Sequence, residues 1–305
     1  MSTGIITSHP WFKAMKLTLD NLTTDDLAKT QVCIGKGKLI TKLEAMKDGY
    51  VDDMESAGTA LLQQRGQAEP IASGTITPGG SSRYWPRSMG LQLTIAEETM
   101  DDVKYFKELI NPSQRLLASA YKTQDIDCAS LVNNSATAIG GYDQTYLTSS
   151  THSLPGGGTQ SNRLPTYMTP SVPALMLARA NLALMKDPNG LPAGLTMKAI
   201  VCPEIQADLW RILLKTTGVP GSNFNDINIA QTYDLGLIPI KWLDGASTTQ
   251  WGIKTDAENG ARAFDKKKIT SINWVDNACL AVHHAVYYRM ALGWSNWRWW
   301  YQGNV

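Results

Sequence analysis

The chain has 305 residues, 43% hydrophobic and 18% charged, with a formal net charge of +1. That is enough chain for a large core or two domains. The near-zero balance argues against a general pull toward nucleic acid or an anionic membrane, no apolar run reaches the roughly 18 residues of a membrane span, and the first residues, MSTGIITSHPWFKAMK, lack a charged-then-apolar secretion signal. Cys33, Cys128, Cys202 and Cys279 are far apart and form no CxxC pair, so free, mostly buried thiols in a reducing compartment are expected.

Taken in chain order, residues 1–58 are mixed and charge-rich and read as an arm with some helix, for instance over LDNLTTDDLAK. Residues 59–94 carry strand-like content on both sides of Pro78-Gly79-Gly80-Ser81-Ser82, which predicts a long hairpin turning at that Gly-rich centre. It is poor in apolar residues and needs a neighbour to lie on. Thr94 and Glu97 have capping-box spacing. Met100, Val103, Phe106 and Ile110, then Leu117, Ala120, Tyr121, Cys128, Leu131 and Val132, recur at helical spacing. A helix over 95–133 is expected, bent or broken at Asn111-Pro112.

Residues 140–168 are loop-rich. Pro170 suits a first helical position, followed by a helical stripe at Leu175, Ala178, Leu182 and Met185. MKAIVC (197–202) reads as a strand leading into a helix carrying Ile205, Leu209, Trp210 and Leu213. INIA, LIPIKWL and TQWGIK read as strands, and 278–292 as strand or helix. The order of elements is α+β.

No active site assembles. PGGGTQSN (155–162) lacks the Lys-Ser/Thr of a phosphate loop, and GKGK (35–38) lacks its spacing. His283 and His284 are adjacent, so on a strand they point to opposite faces and cannot easily share a metal. Ser149 and His152 could be imagined as a nucleophile pair, but no GxSxG elbow and no orienting acid accompany them. The paired carboxylates Asp52-Asp53, Glu97-Glu98 and Asp101-Asp102 read as solvated or helix-terminal charges, Asp226 in NDIN as turn punctuation, and Lys266-Lys267-Lys268 as a solvated turn. The ending GWSNWRWWYQGNV holds Trp294, Trp297, Trp299, Trp300 and Tyr301. Each such ring can bury roughly 150–250 Å², and left exposed they would form an adhesive patch. Trp297, Trp299 and Trp300 around Arg298 could mimic a nucleic-acid stacking platform; structural packing is the better account.

The series of a long hairpin, MGLQLTIAEETMDD running into a helix, LTSSTHSLPGGGTQSN, AIVCPEIQADLWRILL, NDIN and a terminal YYRMALGWSNWRWWY resembles the major capsid proteins of tailed bacteriophages, in particular the Mu-like head-subunit group with the Hong-Kong-ninety-seven-type capsid fold. The resemblance runs from about Tyr50 to Tyr301. It departs at His152-Ser153, where the family often has His-Pro, at Asn296, where it has an acidic residue, and in the extra Trp299-Trp300 pair.

The resemblance implies an α+β tile: an N-terminal arm (1–58), an extended hairpin loop across an adjacent subunit (59–94), a peripheral domain with a spine helix (95–164), an axial domain (165–275) and a C-terminal return to the peripheral domain (276–305), with the tail aromatics covered there or between capsomers. It implies a structural protein of the virion rather than an enzyme, made in the host bacterial cytoplasm, with no cofactor, metal or membrane. Copies would assemble into hexamers and pentamers of an icosahedral head around double-stranded DNA, with a separate scaffolding protein, a portal and a possible decoration protein as partners. Arg65, Arg83, Trp85, Arg87, Trp297, Arg298 and Trp300 are the expected inter-subunit contacts, since interface cores favour aromatics and Arg. Competing readings are a nanocompartment shell of the same fold and an α/β enzyme.

Overall fold

The computed structural model describes residues 31–56, 78–96, 106–220, 226–243, 249–276 and 278–304, with short pieces between 61 and 73 and at 98–99. The first part of the expected arm, the apolar positions 100 and 103, and part of the hairpin segment lie outside the described residues.

The elements begin with β1 (Leu43–Ala45), β2 (Val51–Ser56), β3 (Pro78–Tyr84), β4 (Arg87–Ala96) and α1 (Phe106–Asn133). Two small hairpins follow: β5 (Ile139–Gly140) with β6 (Thr145–Tyr146), and β7 (His152–Ser153) with β8 (Thr159–Gln160). Then come α2 (Val172–Ala183), β9 (Met197–Pro203), α3 (Ala207–Lys215), β10 (Gly236–Ile240), β11 (Trp251–Thr255), β12 (Ala261–Asp276), β13 (Ala281–Trp294) and β14 (Trp300–Asn304).

Two four-stranded sheets organise the chain, in the orders β1-β12-β13-β4 and β10-β9-β11-β14. In the first, Val286, Tyr288 and Met290 of β13 pack against Leu116, Leu117, Ala120 and Tyr121 of α1. These residues alternate along the strand and recur along the helix as the two periods require. The second sheet is covered on both faces. On β9, Ala199 and Val201 enter the core shared with α1, while Ile200 and Cys202 enter the core beneath α2 and α3. That two-sided burial is why MKAIVC reads as one continuous apolar run.

Several expectations hold. Of residues 278–292, all from Ala281 onward resolve as strand after a turn at 278–280, and Leu175, Ala178, Leu182 and Met185 are all buried. Others are corrected. Pro78-Gly79-Gly80-Ser81-Ser82 is not a turn but most of β3, and its antiparallel partner is β2. Thr94 is not a helix cap: it sits in β4 opposite His283, whose Nδ1 lies 3.0 Å from its hydroxyl. Of the bend or break expected at Asn111-Pro112, the break does not occur: one helix continues through Pro112. Ser171 caps α2, and the early proline there is Pro173, not Pro170. In α3, Trp210 and Leu213 are buried while Leu209 remains exposed, and Ile205, also exposed, lies in the 3-10 turn before the helix. INIA is a bridge and a 3-10 turn rather than a strand. β12 joins the sheet of β13, and β14 joins the sheet of β9, so the chain's last strand ends in the sheet built from 197–255.

Candidate functional site: the ribbon base and the C-terminal tail

Trp297, Trp299, Trp300 and Tyr301 are each at most 2% exposed, and the cover comes from this chain itself. Glycines make the room. A Cβ at Gly252 would meet the Trp300 ring at 2.3 Å, one at Gly303 the Trp251 ring at 2.2 Å, and one at Gly260 the Trp299 side chain at 2.5 Å. Gly303 is the extra residue of a bulge between β11 and β14, which aims the neighbouring rings inward. The indole N–H of Trp300 donates to Gln302 Oε1 at 2.7 Å, and Gln302 Nε2 donates to the Trp251 carbonyl at 3.2 Å.

His152 stacks on Trp297 with ring centroids 4.0 Å apart and planes within 4°. Its Nδ1 lies 2.6 Å from Asp143 Oδ2, and the ring is fully buried. The imagined Ser149–His152 pair does not form: the Ser149 hydroxyl turns to Thr151. Adjacent His283 and His284 do diverge. His284 is buried against Asn273, while His283 stacks on Trp274 at 5.0 Å. Among the described residues no group of three or more His, Cys, Asp or Glu is arranged to hold a metal ion. Nor is any helix of these residues long and apolar enough to cross a membrane.

The tail is also the anchor of the ribbon formed by β2 and β3. Arg298 Nη1 pairs with Glu55 of β2 at 3.0 Å, both side chains nearly out of solvent at 4% and 11% exposed. Its Nε donates to the Lys186 carbonyl at 3.0 Å, and its guanidinium carbon lies 4.5 Å from the Trp297 ring centre. Arg262 of β12 bridges Glu44 at 2.5 Å and Asp53 at 3.2 Å. The Tyr84 hydroxyl meets Ser295 Oγ at 2.5 Å, and burial pushes that phenol up to about 12. Gly80 lies so close to the Tyr142 carbonyl that a Cβ there would sit 1.8 Å away; only glycine lets the ribbon backbone approach this far.

Beyond its anchored face the ribbon base is open. Arg83 grips Asp52 with two bonds, at 2.5 and 2.7 Å, and these hold the Asp52 carboxyl below its ordinary value. The same guanidinium lies 4.2 Å from the Tyr50 ring centre and 5.8 Å from that of Trp85. Trp85 itself is 61% exposed. Arg87 is exposed at the start of β4, beside a small cleft it shares with Asp127 and Ser130 of α1, and Arg65 is exposed outside any strand.

The seven expected contacts therefore divide. The structure brings Arg83 and Trp85 together on the surface and leaves Arg65 and Arg87 accessible elsewhere. Trp297, Arg298 and Trp300 are buried within this chain, where β14, which begins at Trp300, closes the sheet beside them. Sequence reading misses Glu55 and Glu44. Their only signal is an excess of acid in a segment with no apolar period.

No protein-family model and no curated protein sequence matches the chain. Solved structures do. A chain of Microbacterium phage Oxtober96 superposes with a TM-score of 0.54 at 9% identity, covering 91% of this chain and 90% of that one. One of Mycobacterium phage Patience gives 0.54 at 10% identity, over 96% and 86%. The capsid of the cyanophage P-SCSP1u gives 0.52 at 12% identity, over 85% and 84%. At such identities the likeness is one of fold, and the fold is that of a phage capsid chain.

Proposed function

We propose that this chain is the major capsid protein of a tailed bacteriophage, of the Mu-like head-subunit kind, and that many copies close into hexamers and pentamers of an icosahedral head around double-stranded DNA. The observation that carries the reading is the agreement of 85% of the chain with a cyanophage capsid chain. In this reading α1 is the spine helix and, with the sheet of β4 and β13, makes the peripheral domain. The sheet of β9, with α2 and α3, makes the axial domain. The hairpin loop expected over 59–94 contacts a neighbouring subunit, and Arg65, Arg83, Trp85 and Arg87 meet that neighbour.

The work is mechanical. Permanent assemblies bury on the order of a few thousand Å² per interface, and closed symmetry repeats each contact around the shell. A net charge of +1 suits a container for DNA, since a strongly basic wall would hold the genome through counterion release. A separate scaffolding protein, a portal and a decoration protein are the partners this role calls for.

Expression of the chain, alone and with a candidate scaffolding protein, followed by size-exclusion chromatography and electron microscopy, tests the reading. Symmetrical shells are expected. A small oligomer under both conditions, with a bound small molecule, would overturn it. Shells that purify with enzymes rather than DNA would point to a nanocompartment.

A further inference from the structure

Strand edges expose unpaired N–H and C=O groups, and proteins guard them with charge, proline, bulges, brevity or a covering segment. Almost every edge of this chain is guarded. β1 is three residues long and carries Glu44. β10 contains Pro239. β14 is covered by the 162–168 segment, through bonds from Leu164 N to Gln302 O at 3.0 Å and from Gln302 N to Asn162 O at 2.8 Å. β2 holds Asp52, Asp53 and Glu55, and β3 lies against Tyr142 and Gln144. Beyond β1, the free edge of β12 carries Lys266, Lys267 and Lys268 and two register shifts.

β4 is the exception among the described residues. It is ten residues long and forms one end of its sheet. Its register with β13 runs unbroken from Arg87 opposite Met290 to Ala96 opposite Ala281. From Ser88 to Ala96 it has no charge and no proline. Met89, Leu91, Leu93 and Ile95 share the face toward α1, opposite the buried Tyr288, Val286, His284 and Val282. Leu91 is nevertheless 61% exposed.

We infer that β4 pairs antiparallel with β4 of a second copy of this chain about a two-fold axis at Gln92, joining two four-stranded sheets into one. The sequence is self-complementary in this register. Leu91 falls opposite Leu93 and Met89 opposite Ile95 on one face, and Gly90 opposite Thr94 and Ser88 opposite Ala96 on the other, so apolar meets apolar as a shared face demands. An axis one residue earlier would set Pro86, which has no N–H, against Ala96. The antiparallel arrangement also brings the Arg87 end of one strand alongside the end of the other that leads to the exposed Glu98. The uncharged middle offers no like-charge penalty to the approach of an identical strand. The pairing rests on the shell reading for its supply of copies.

Gln92→Cys in a Cys279→Ser background tests it, since Gln92 and Cys279 are exposed while the other cysteines are buried. Directly opposed residues in an antiparallel pair lie within disulfide reach. Mild oxidation should shift the Gln92→Cys chain to twice its mass on a non-reducing gel. Thr94→Cys in the same background should stay at monomer mass, because its two copies would lie about 13 Å apart along the strands. Amide exchange of the unaltered chain should show Ser88–Ala96 protected in the assembled state. If the parent forms shells but the Gln92→Cys variant gives no cross-linked dimer, the pairing is overturned and the shell reading stands. Protection of 88–96 without that dimer assigns the edge to another segment, a neighbour's ribbon or the first thirty residues, and also overturns it. A cross-linked Gln92→Cys dimer from a parent that forms no shells supports the pairing and counts against the shell.

Discussion

The Trp300 ring fills the space above Gly252 so completely that one added methyl would come within 2.3 Å of it. Large aromatics over a strand glycine replace the missing side chain and pin the register. Gly252→Ala should therefore overpack the core and lower the stability of the soluble subunit by about 1–3 kcal/mol, read as a fall in melting temperature. Combining it with Trp300→Leu should recover part of the loss relative to the sum of the single variants. An unchanged melting temperature in Gly252→Ala would mean that the ring is not seated there.

The exposed and buried tryptophans should separate assembly from stability. Trp300→Ala removes a fully buried ring, at a cost of about 3–5 kcal/mol, and should reduce the yield of soluble subunit. Trp85 touches Tyr50 and Arg83 at the surface. Trp85→Ala should leave subunit stability within about 0.5 kcal/mol while lowering the yield of shells seen by negative-stain microscopy. Normal shells from Trp85→Ala would remove that residue from the interface.

Glu55 and Arg298 tie the ribbon to the tail across most of the chain's length. Removing Glu55 leaves the Arg298 guanidinium charged and buried without its counter-charge, so Glu55→Ala should cost about 3–5 kcal/mol, measured as a lower urea midpoint. The effect should change little with added salt, since buried pairs are weakly screened. Exposed Arg211→Ala, which breaks the surface pair with Asp208, should cost less than about 1 kcal/mol.

This pair also marks where the sequence stops being informative. The stripe at Leu175, Ala178, Leu182 and Met185 is local, and its period alone identifies a helix face. The tail's burial is legible too, because four tryptophans in a dozen residues need cover. What covers them is not: Gly252, Gly260 and His152 are remote in sequence, and no local pattern links a glycine to the ring it accommodates. β2 is invisible in the sequence because its acids look like solvated charge until Arg83, Arg262 and Arg298 arrive from elsewhere. Thr94 and Glu97 offer a capping box that loses to a ten-residue ladder with β13. The burial of Trp297, Arg298 and Trp300 inside their own chain is hidden for a related reason: aromatic and arginine content marks cores and interfaces alike, and only the path of the chain distinguishes them.

Asp265 gives a prediction in pH. Burial pushes its carboxyl up to about 6, with Lys268 opposing the shift, whereas an unfolded aspartate titrates near 3.9. The folded state therefore binds the proton more tightly than the unfolded state. Protonation favours folding below about pH 4, and that advantage is lost as the pH rises through about 6. Asp265→Asn removes the ionisation. It should be more stable than the parent at pH 7, with the difference shrinking as the pH falls toward 4, in urea midpoints measured across that range. A difference that stays constant with pH would show that Asp265 is not desolvated in the folded subunit.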